Sequence, residues 1–466
     1  MKIKTINHST QHNSIKKHSE LGKARKNKES SSPRDILVQI GVGEHTPHTL
    51  ARAYEDKFQS IEELRYVDLN PEHLDAVAAT CRALNKETGR NVKCVVSTDY
   101  KDALEDATMV SFAFAVDYPQ STLRDYARAE RHGIPMVEGE TMGIGGGLAG
   151  IRHLKVAMPI MDRMASVCPD AWCVVSTNPI RHLGDYAARY AKLRKCMGLC
   201  HGAEATIQYI ENAAGIKHGL LDFLVAGANH FIWYLKIWSR ETGEDYYPKL
   251  TEILKKQALD GEMSRHMFQT FGIYPGNGPS HVTDSFGLFT EDIWKKYDIH
   301  RALSAERGAT GDHKRWTNYM RKIRDGQMTA REYLKELAVS QADAPASPIL
   351  RSFLKTDTMY YNQALNIPNR GAVSNLPDDA IIEVPGVSNR TGAYPLVVGP
   401  LPDAVAELVR RQVVIQKLHV DAAATGSKQA LTQALLLDPT VKSFDSAMAF
   451  LNDTLTEDKK FYPVMS

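Results

Sequence analysis

The chain has 466 residues, of which 43% are hydrophobic and 24% charged, with a formal net charge of +2. That length exceeds what one small core can organise, so two packed domains are expected. The near-neutral balance gives no reason to expect nucleic acid or an anionic membrane as partner, and no apolar run approaches the roughly 20 residues that span a bilayer.

Residues 1–33 are rich in Lys, Ser, Asn and His and almost without large apolar groups. Such a segment cannot bury enough surface to offset its ordering entropy, so a disordered basic leader is expected; an organelle transit peptide is the alternative. The six cysteines, Cys81, Cys94, Cys168, Cys173, Cys196 and Cys200, form no paired framework. With no secretory apolar segment ahead of them, a reducing cytoplasm is the expected location.

From Asp35 the pattern changes. "DILVQIGVGEHTPHTLARAYEDKF" reads as a strand, a glycine turn and a helix with apolar positions at Leu50, Ala53, Tyr54 and Phe58. "IEELRYVDLNPEHLDAVAATCRAL" repeats the theme: a strand ending at Asp68, an Asn70-Pro71 turn and an amphipathic helix. The runs "VKCVVST", "ATMVSFAFAV" and "AWCVVSTNP" then recur with helical segments between them. Continuous apolar strands alternating with helices predict an α/β fold, a doubly wound parallel sheet covered on both faces.

In such a sheet a dinucleotide pyrophosphate sits at the first strand–helix turn, on the helix N-terminus. Here that turn runs Gly41-Val42-Gly43-Glu44-His45-Thr46-Pro47 and keeps two of the three fingerprint glycines. Gly41, Gly43, Glu44, Thr46 and Pro47 are therefore candidate cofactor-binding residues. Asp68 stands where a carboxylate would accept from a ribose hydroxyl, with Asn70 and Ala115 at the neighbouring strand ends. The alternative is a tight turn followed by a helix cap.

Several dispersed stretches together resemble glycoside hydrolase family 4, the NAD- and divalent-metal-dependent glycosidases, from about Asp35 to the C-terminus. They are "GVGEHTP", "HGIPMVEGETMGIGGGLAGIRHL", "VVSTNPI", "GLCHG", "GANHF", "NIPNRGAVSNLPDDAIIEVP" and "ALLLDPTV". The chain departs from the family pattern in its Gly-Val-Gly-Glu opening, in "AVDYPQS" after the fourth strand and in the segment following His230. These departures also leave room for the related family 188, the NAD-dependent sulfoquinovosidases. The resemblance implies a Rossmann-like NAD domain over 34–200 and an α+β, largely helical metal, substrate and oligomerisation domain over 201–466. It further implies a homodimer or homotetramer.

The chemistry implied by the resemblance is oxidation followed by elimination, an exception to the two-carboxylate scheme of glycoside hydrolysis. NAD takes a hydride from sugar C3, a base removes the acidified C2 proton, and the C1 leaving group departs. Water then adds at C1 and the retained NADH reduces C3. A Lewis acid is needed beside the ketone. Cys200 and His230 match the family's metal cysteine and histidine, an open site suited to Mn2+ or a similar divalent ion. Asn178 is expected to hydrogen-bond the sugar hydroxyls or the nicotinamide ribose, and Asp117 and Glu140 to contact the sugar. His201, also expected to touch the sugar, is the candidate acid for the leaving oxygen, and Tyr274 or His281 the candidate base.

The substrate expected is an α-linked glycoside with an acidic C6 group, a sulfoquinovoside or a uronide. A neutral α-glucosidase or α-galactosidase of the same mechanism is the alternative within the group. An NAD-dependent hydroxy-acid dehydrogenase and a nucleotide-sensing module without turnover are the rivals outside it; neither needs Cys200 or His230.

Overall fold

The computed structural model describes residues 35–43, 46–54, 60–257, 259, 262–287, 314–339 and 359–465. The expected leader and Glu44 lie outside them. Six strands, β1 (Asp35–Ile40), β2 (Ile61–Val67), β3 (Lys93–Ser97), β4 (Met109–Phe112), β5 (Trp172–Val175) and β6 (Cys196–Gly198), pair in parallel in the order β3-β2-β1-β4-β5-β6. This is the doubly wound arrangement of dinucleotide-binding sheets. Its strands read as unbroken apolar runs because both faces are covered. In β1, Leu37 joins one hydrophobic cluster while Val38 and Ile40 join the other; in β5, Trp172 and Val174 part from Cys173 and Val175 in the same way.

The sheet does not stop at β6. Strands β7 (Leu221–Ala228), β8 (Phe231–Ser239), β9 (Tyr274–Pro275), β10 (Tyr360–Pro368), β11 (Ile381–Asn389) and β12 (Gly392–Pro395) extend it in antiparallel fashion. The order beyond β6 is β10-β11-β7-β8-β9, with β12 beside β11. The division expected between residues 200 and 201 therefore falls within one continuous sheet, and the described residues from Asp35 onward belong to one compact unit.

The helices that bear on the site are α1 (Thr46–Ala53), α2 (Pro71–Thr88), α3 (Gln120–Arg131), α4 (Gly143–Val167), α5 (Ile180–Arg189), α6 (Gly202–Ala214), α7 (Pro279–Phe286), α8 (Asp403–Thr425) and α9 (Phe444–Glu457). Close helix packing explains part of the glycine-rich segment. A Cβ at Gly147 of α4 would lie 2.2 Å from the ring of His419 of α8, so α4 approaches its neighbour through bare backbone. Among the described residues no helix is long and apolar enough to cross a membrane.

Strand register sets where the site forms. Backbone pairing aligns Ser97, Val67, Ile40, Phe112, Val175, Gly198, Asn366, Glu383, Gly227 and Ile232 in one row across the sheet. Gly41, Asp68, Ala115, Asn178, Cys200 and His230 each lie within three residues of that row. In open parallel sheets ligands bind at the carboxyl ends of the strands, where the order reverses. That reversal here lies between β1 and β4.

The chain just after α9 is held to α3 and α4 by buried charge. Asp125 of α3, 1% exposed, lies 3.0 Å from Arg128 Nη1 and 2.7 Å from Arg152 Nη1. Arg128 continues to Asp458 at 2.7 Å, and Arg152 to the Tyr462 hydroxyl at 2.8 Å. Removing one partner of a buried ion network leaves uncompensated charge, which costs about 3–5 kcal/mol. Asp125→Ala is therefore expected to lower the midpoint of chemical denaturation by an amount equivalent to that energy. An unchanged midpoint would show that the two guanidinium groups are satisfied without it.

Candidate active site

At the nucleotide end the backbone itself demands Gly41. Its φ is +90°, and a Cβ there would lie 2.5 Å from the Ala113 carbonyl oxygen. Gly43 faces no such constraint: an added Cβ would sit 3.5 Å from the same oxygen. The turn is held by side chains. Thr46 Oγ1 accepts the Gly43 N–H at 2.9 Å and the Gln39 amide at 2.6 Å, opening α1 with its N-terminus at the crevice. The Pro47 carbonyl accepts from the buried Tyr333 hydroxyl at 2.6 Å.

Asp68 has a structural duty beside the one expected of it. One carboxylate oxygen accepts the Val42 N–H at 2.6 Å and the other the Asn70 N–H at 2.7 Å, with His73 Nδ1 3.7 Å away. Burial opposes the charge, but His73 and the two N–H groups outweigh it and hold the carboxyl below its usual range. Asn70 caps α2, its side chain accepting the Glu72 N–H at 3.0 Å. Ala115 is exposed just past β4. Asp117, in the left-handed region at φ 54°, is paired with Arg124 at 2.7 Å, and Arg124 also reaches Asp458.

Toward the centre of the sheet, Asn178 follows β5. Its carbonyl lies 2.7 Å from His153 Nδ1, and His153 Nε2 lies 3.1 Å from the Val116 N–H. Those partners assign the proton to Nδ1, because Nε2 must accept. Burial, with Arg152 beside it, pushes the His153 pKa down to about 3, so the ring stays neutral and ties β4 to β5. The Asn178 amide donates to Glu140 Oε1 at 2.9 Å, while its Oδ1 is buried without a protein partner. An oriented, orphaned acceptor suits a ligand hydroxyl.

Cys200 and His230 meet. Cys200 Sγ lies 3.5 Å from His230 Nε2 and accepts the Gly202 N–H at 3.4 Å, where α6 begins. His230 occupies a two-residue hairpin turn between β7 and β8 with φ 63°, a conformation that costs about 1–3 kcal/mol for a non-glycine residue. Such strain is characteristic of functional positions. Burial pushes the Cys200 thiol up to about 12, with Glu383 adding to the effect and the Gly202 N–H and Asn229 opposing it. Burial, then His281 and His201, hold His230 well below its ordinary value, so it is a neutral imidazole.

Two more groups face this pair. Ligating atoms of Glu140, His230 and His281 all lie within 4.8 Å of one another, and the two imidazole rings are 4.3 Å apart by their centroids. The Nδ1 atoms of His230 and His281 are buried with no protein partner. Two imidazoles and a carboxylate form a donor set suited to a divalent transition ion, and the Cys200 thiol adjoins it through its 3.5 Å contact with His230. Position alone did not link Glu140 and His281 to this pair in the sequence. Behind it, Glu383 of β11 accepts from Asn229 at 2.8 Å, and Asn366 of β10 lies next to Glu383 in the row. The lone acid in "AIIEVP" was the available signal for Glu383.

His201, exposed, sits at the N-cap of α6, close enough for its charge to depress His230. Tyr274 is not brought to the cluster. Its backbone pairs with Tyr234, and its ring is 1% exposed in an apolar cluster, 6.2 Å from Phe268.

Two family models match the chain: Family 4 glycosyl hydrolase over residues 38–216 and Family 4 glycosyl hydrolase C-terminal domain over residues 225–441. An α-galactosidase of Bacillus subtilis (strain 168) is 27% identical over 81% of this chain and 86% of its own length. A maltose-6'-phosphate glucosidase of Fusobacterium mortiferum is 26% identical over 92% of this chain and 99% of its own. Among solved structures, a 6-phospho-α-glucosidase from gut microorganisms in complex with NAD and Mn2+ shares the fold with a TM-score of 0.76. It is 21% identical and covers 93% of this chain and 100% of its own. The 6-phospho-β-glucosidase of Thermotoga maritima with NAD and glucose-6-phosphate gives a TM-score of 0.75 at 21% identity, covering 92% and 100%. With both family models in chain order over the same residues that build the strand-end site, the chain belongs to family 4 of the glycosyl hydrolases, enzymes acting on glycosidic bonds.

Proposed function

We propose that this chain hydrolyses an α-linked glycoside bearing an acidic group at C6, a sulfoquinovoside or a uronide, with NAD and a divalent cation such as Mn2+ that are not consumed. The observation that carries the reading is the 3.5 Å approach of Cys200 to His230 on the same strand-end row as the Gly41 turn. NAD, when bound, supplies a reversible hydride acceptor for sugar C3, and the cation supplies the Lewis acidity that makes the C2 proton removable.

The chain's own residues divide the remaining work. The Gly41 turn lets a pyrophosphate approach the N-terminus of α1. Cys200, His230 and Glu140 are the donors for the cation. Asn178 Oδ1 accepts from a sugar hydroxyl, its amide fixed on Glu140. His281 takes the C2 proton; its ring lies beside His230, whereas Tyr274 is packed on Phe268. His201, exposed at the start of α6, protonates the leaving oxygen. The second reading is a neutral α-galactoside or α-glucoside, favoured by the 27% identity to an α-galactosidase.

Nitrophenyl glycosides differing only at C6, assayed with NAD and Mn2+ under reducing conditions, are expected to give the highest kcat/KM for the sulfoquinovoside or the uronide. A higher value for the neutral galactoside or the 6-phosphate overturns the substrate class and leaves the mechanism standing. Deuterium at C2 is expected to slow turnover or wash out into solvent. Full retention at full rate, or NADH released in proportion to substrate, contradicts elimination.

Cation affinity should depend on pH with a defined sign. The Cys200 thiol is protonated near neutrality, while His230 is already neutral, so binding displaces one proton from sulfur. Mn2+ affinity, read by electron paramagnetic resonance, is expected to rise about tenfold per pH unit between roughly pH 6.5 and 8.5. A flat profile would show that the sulfur is not a donor.

A further inference from the structure

Asp284, on α7, is fully buried and turns its carboxylate toward the backbone of a distant loop. Oδ1 accepts the Val137 N–H at 2.9 Å, and Oδ2 accepts the Glu138 N–H at 2.8 Å and the Gly139 N–H at 3.0 Å. Three backbone donors engage both oxygens, and burial pushes the carboxyl up to about 7 against them. The helix is itself anchored from the other side. The Ser285 carbonyl accepts from Arg411 Nη2 at 3.0 Å and from Gln412 Nε2 at 3.1 Å, both on α8.

What the two segments carry gives this contact its meaning. Glu140 follows the clamped amides directly, and His281 lies about one helical turn before Asp284. Ligating atoms of those two side chains lie within 4.8 Å of each other and of His230. No strand pairing joins the loop to the helix, so their relative placement depends on side-chain contacts such as this one.

We propose that Asp284 is a positioning residue for the cation centre, clamping the 137–139 backbone onto α7 so that Glu140 and His281 close on His230. The inference rests on the reading of Cys200, His230 and Glu140 as cation donors.

Asp284→Asn is the informative substitution, because it keeps the shape yet presents an amide NH2 to at least one backbone N–H. Partners behind metal ligands typically matter about 10–100-fold in metal affinity. The variant is expected to bind Mn2+ about 10–100-fold more weakly by electron paramagnetic resonance, while its NAD affinity stays within about twofold. In a Glu140→Gln background the same substitution should cost less than about threefold, since the donor it positions is gone. Unchanged Mn2+ affinity, a parallel loss of Mn2+ and NAD affinity, or an equal penalty in the Glu140→Gln background would each overturn the proposal. Should Asp284→Asn fail to fold, hydrogen exchange on the unaltered protein decides. The Val137, Glu138 and Gly139 amides are expected to be protected like those of a buried strand, and exchange at open-loop rates overturns the clamp. None of these readouts needs turnover, so failure of the glycosidase reading and failure of the clamp would be seen separately.

Discussion

The site depends on a single row of backbone hydrogen bonds. Parallel pairing from β3 to β6 brings six strand ends level, and three antiparallel pairings then carry the same level through Asn366 and Glu383 to Gly227. A residue two past β6 and another in the β7–β8 hairpin thereby meet, though neither is near the other in sequence. Because side chains alternate with a period of two, a one-residue slip in β10 or β11 would turn every paired side chain to the opposite face. The meeting of Cys200 and His230 is thus a consequence of register before it is a consequence of chemistry.

The row is costly to build in polar residues. Glu383 and Asn366 are buried in the middle of the sheet, and burial pushes the Glu383 carboxyl up to about 7 against the opposing hydrogen bond from Asn229. Among the described residues Asn229 Oδ1 and Asn366 Oδ1 have no protein hydrogen-bond partner, while Asn366 lies close enough to Glu383 to favour its charged form. A core chosen for stability alone would place apolar side chains there. Polar groups retained beneath a thiol and an imidazole would instead suit the shell of the proposed cation site. His230 in the left-handed region adds strain at the same place.

Much of this was legible in the sequence, for identifiable reasons. The parallel half was readable because covering both faces forces unbroken apolar runs, as in "WCVVSTNP", and because glycine is the only residue that fits at position 41. Cys200 and His230 stood out through short local signatures. What escaped depends on contacts across strands and between helices. Asp284 looks like a surface polar residue in "HVTDSF" until α7 is packed against the 137–139 loop. Gly147 lets α4 approach His419 of α8, a contact no local pattern announces. Tyr274 fits the expected pattern of a base, yet its ring lies in an apolar cluster beside Phe268. One continuous sheet likewise could not be read from a chain whose parallel and antiparallel strands are separated by long helical segments.

The account stands or falls on one cation shared by sulfur and imidazole. X-ray absorption on the protein loaded with Zn2+ as a structural probe tests this most directly. The expected result is one sulfur scatterer at about 2.3 Å together with imidazole nitrogen at about 2.0–2.1 Å, with the sulfur shell lost in Cys200→Ser. A first shell of oxygen and nitrogen alone in the unaltered protein would contradict it.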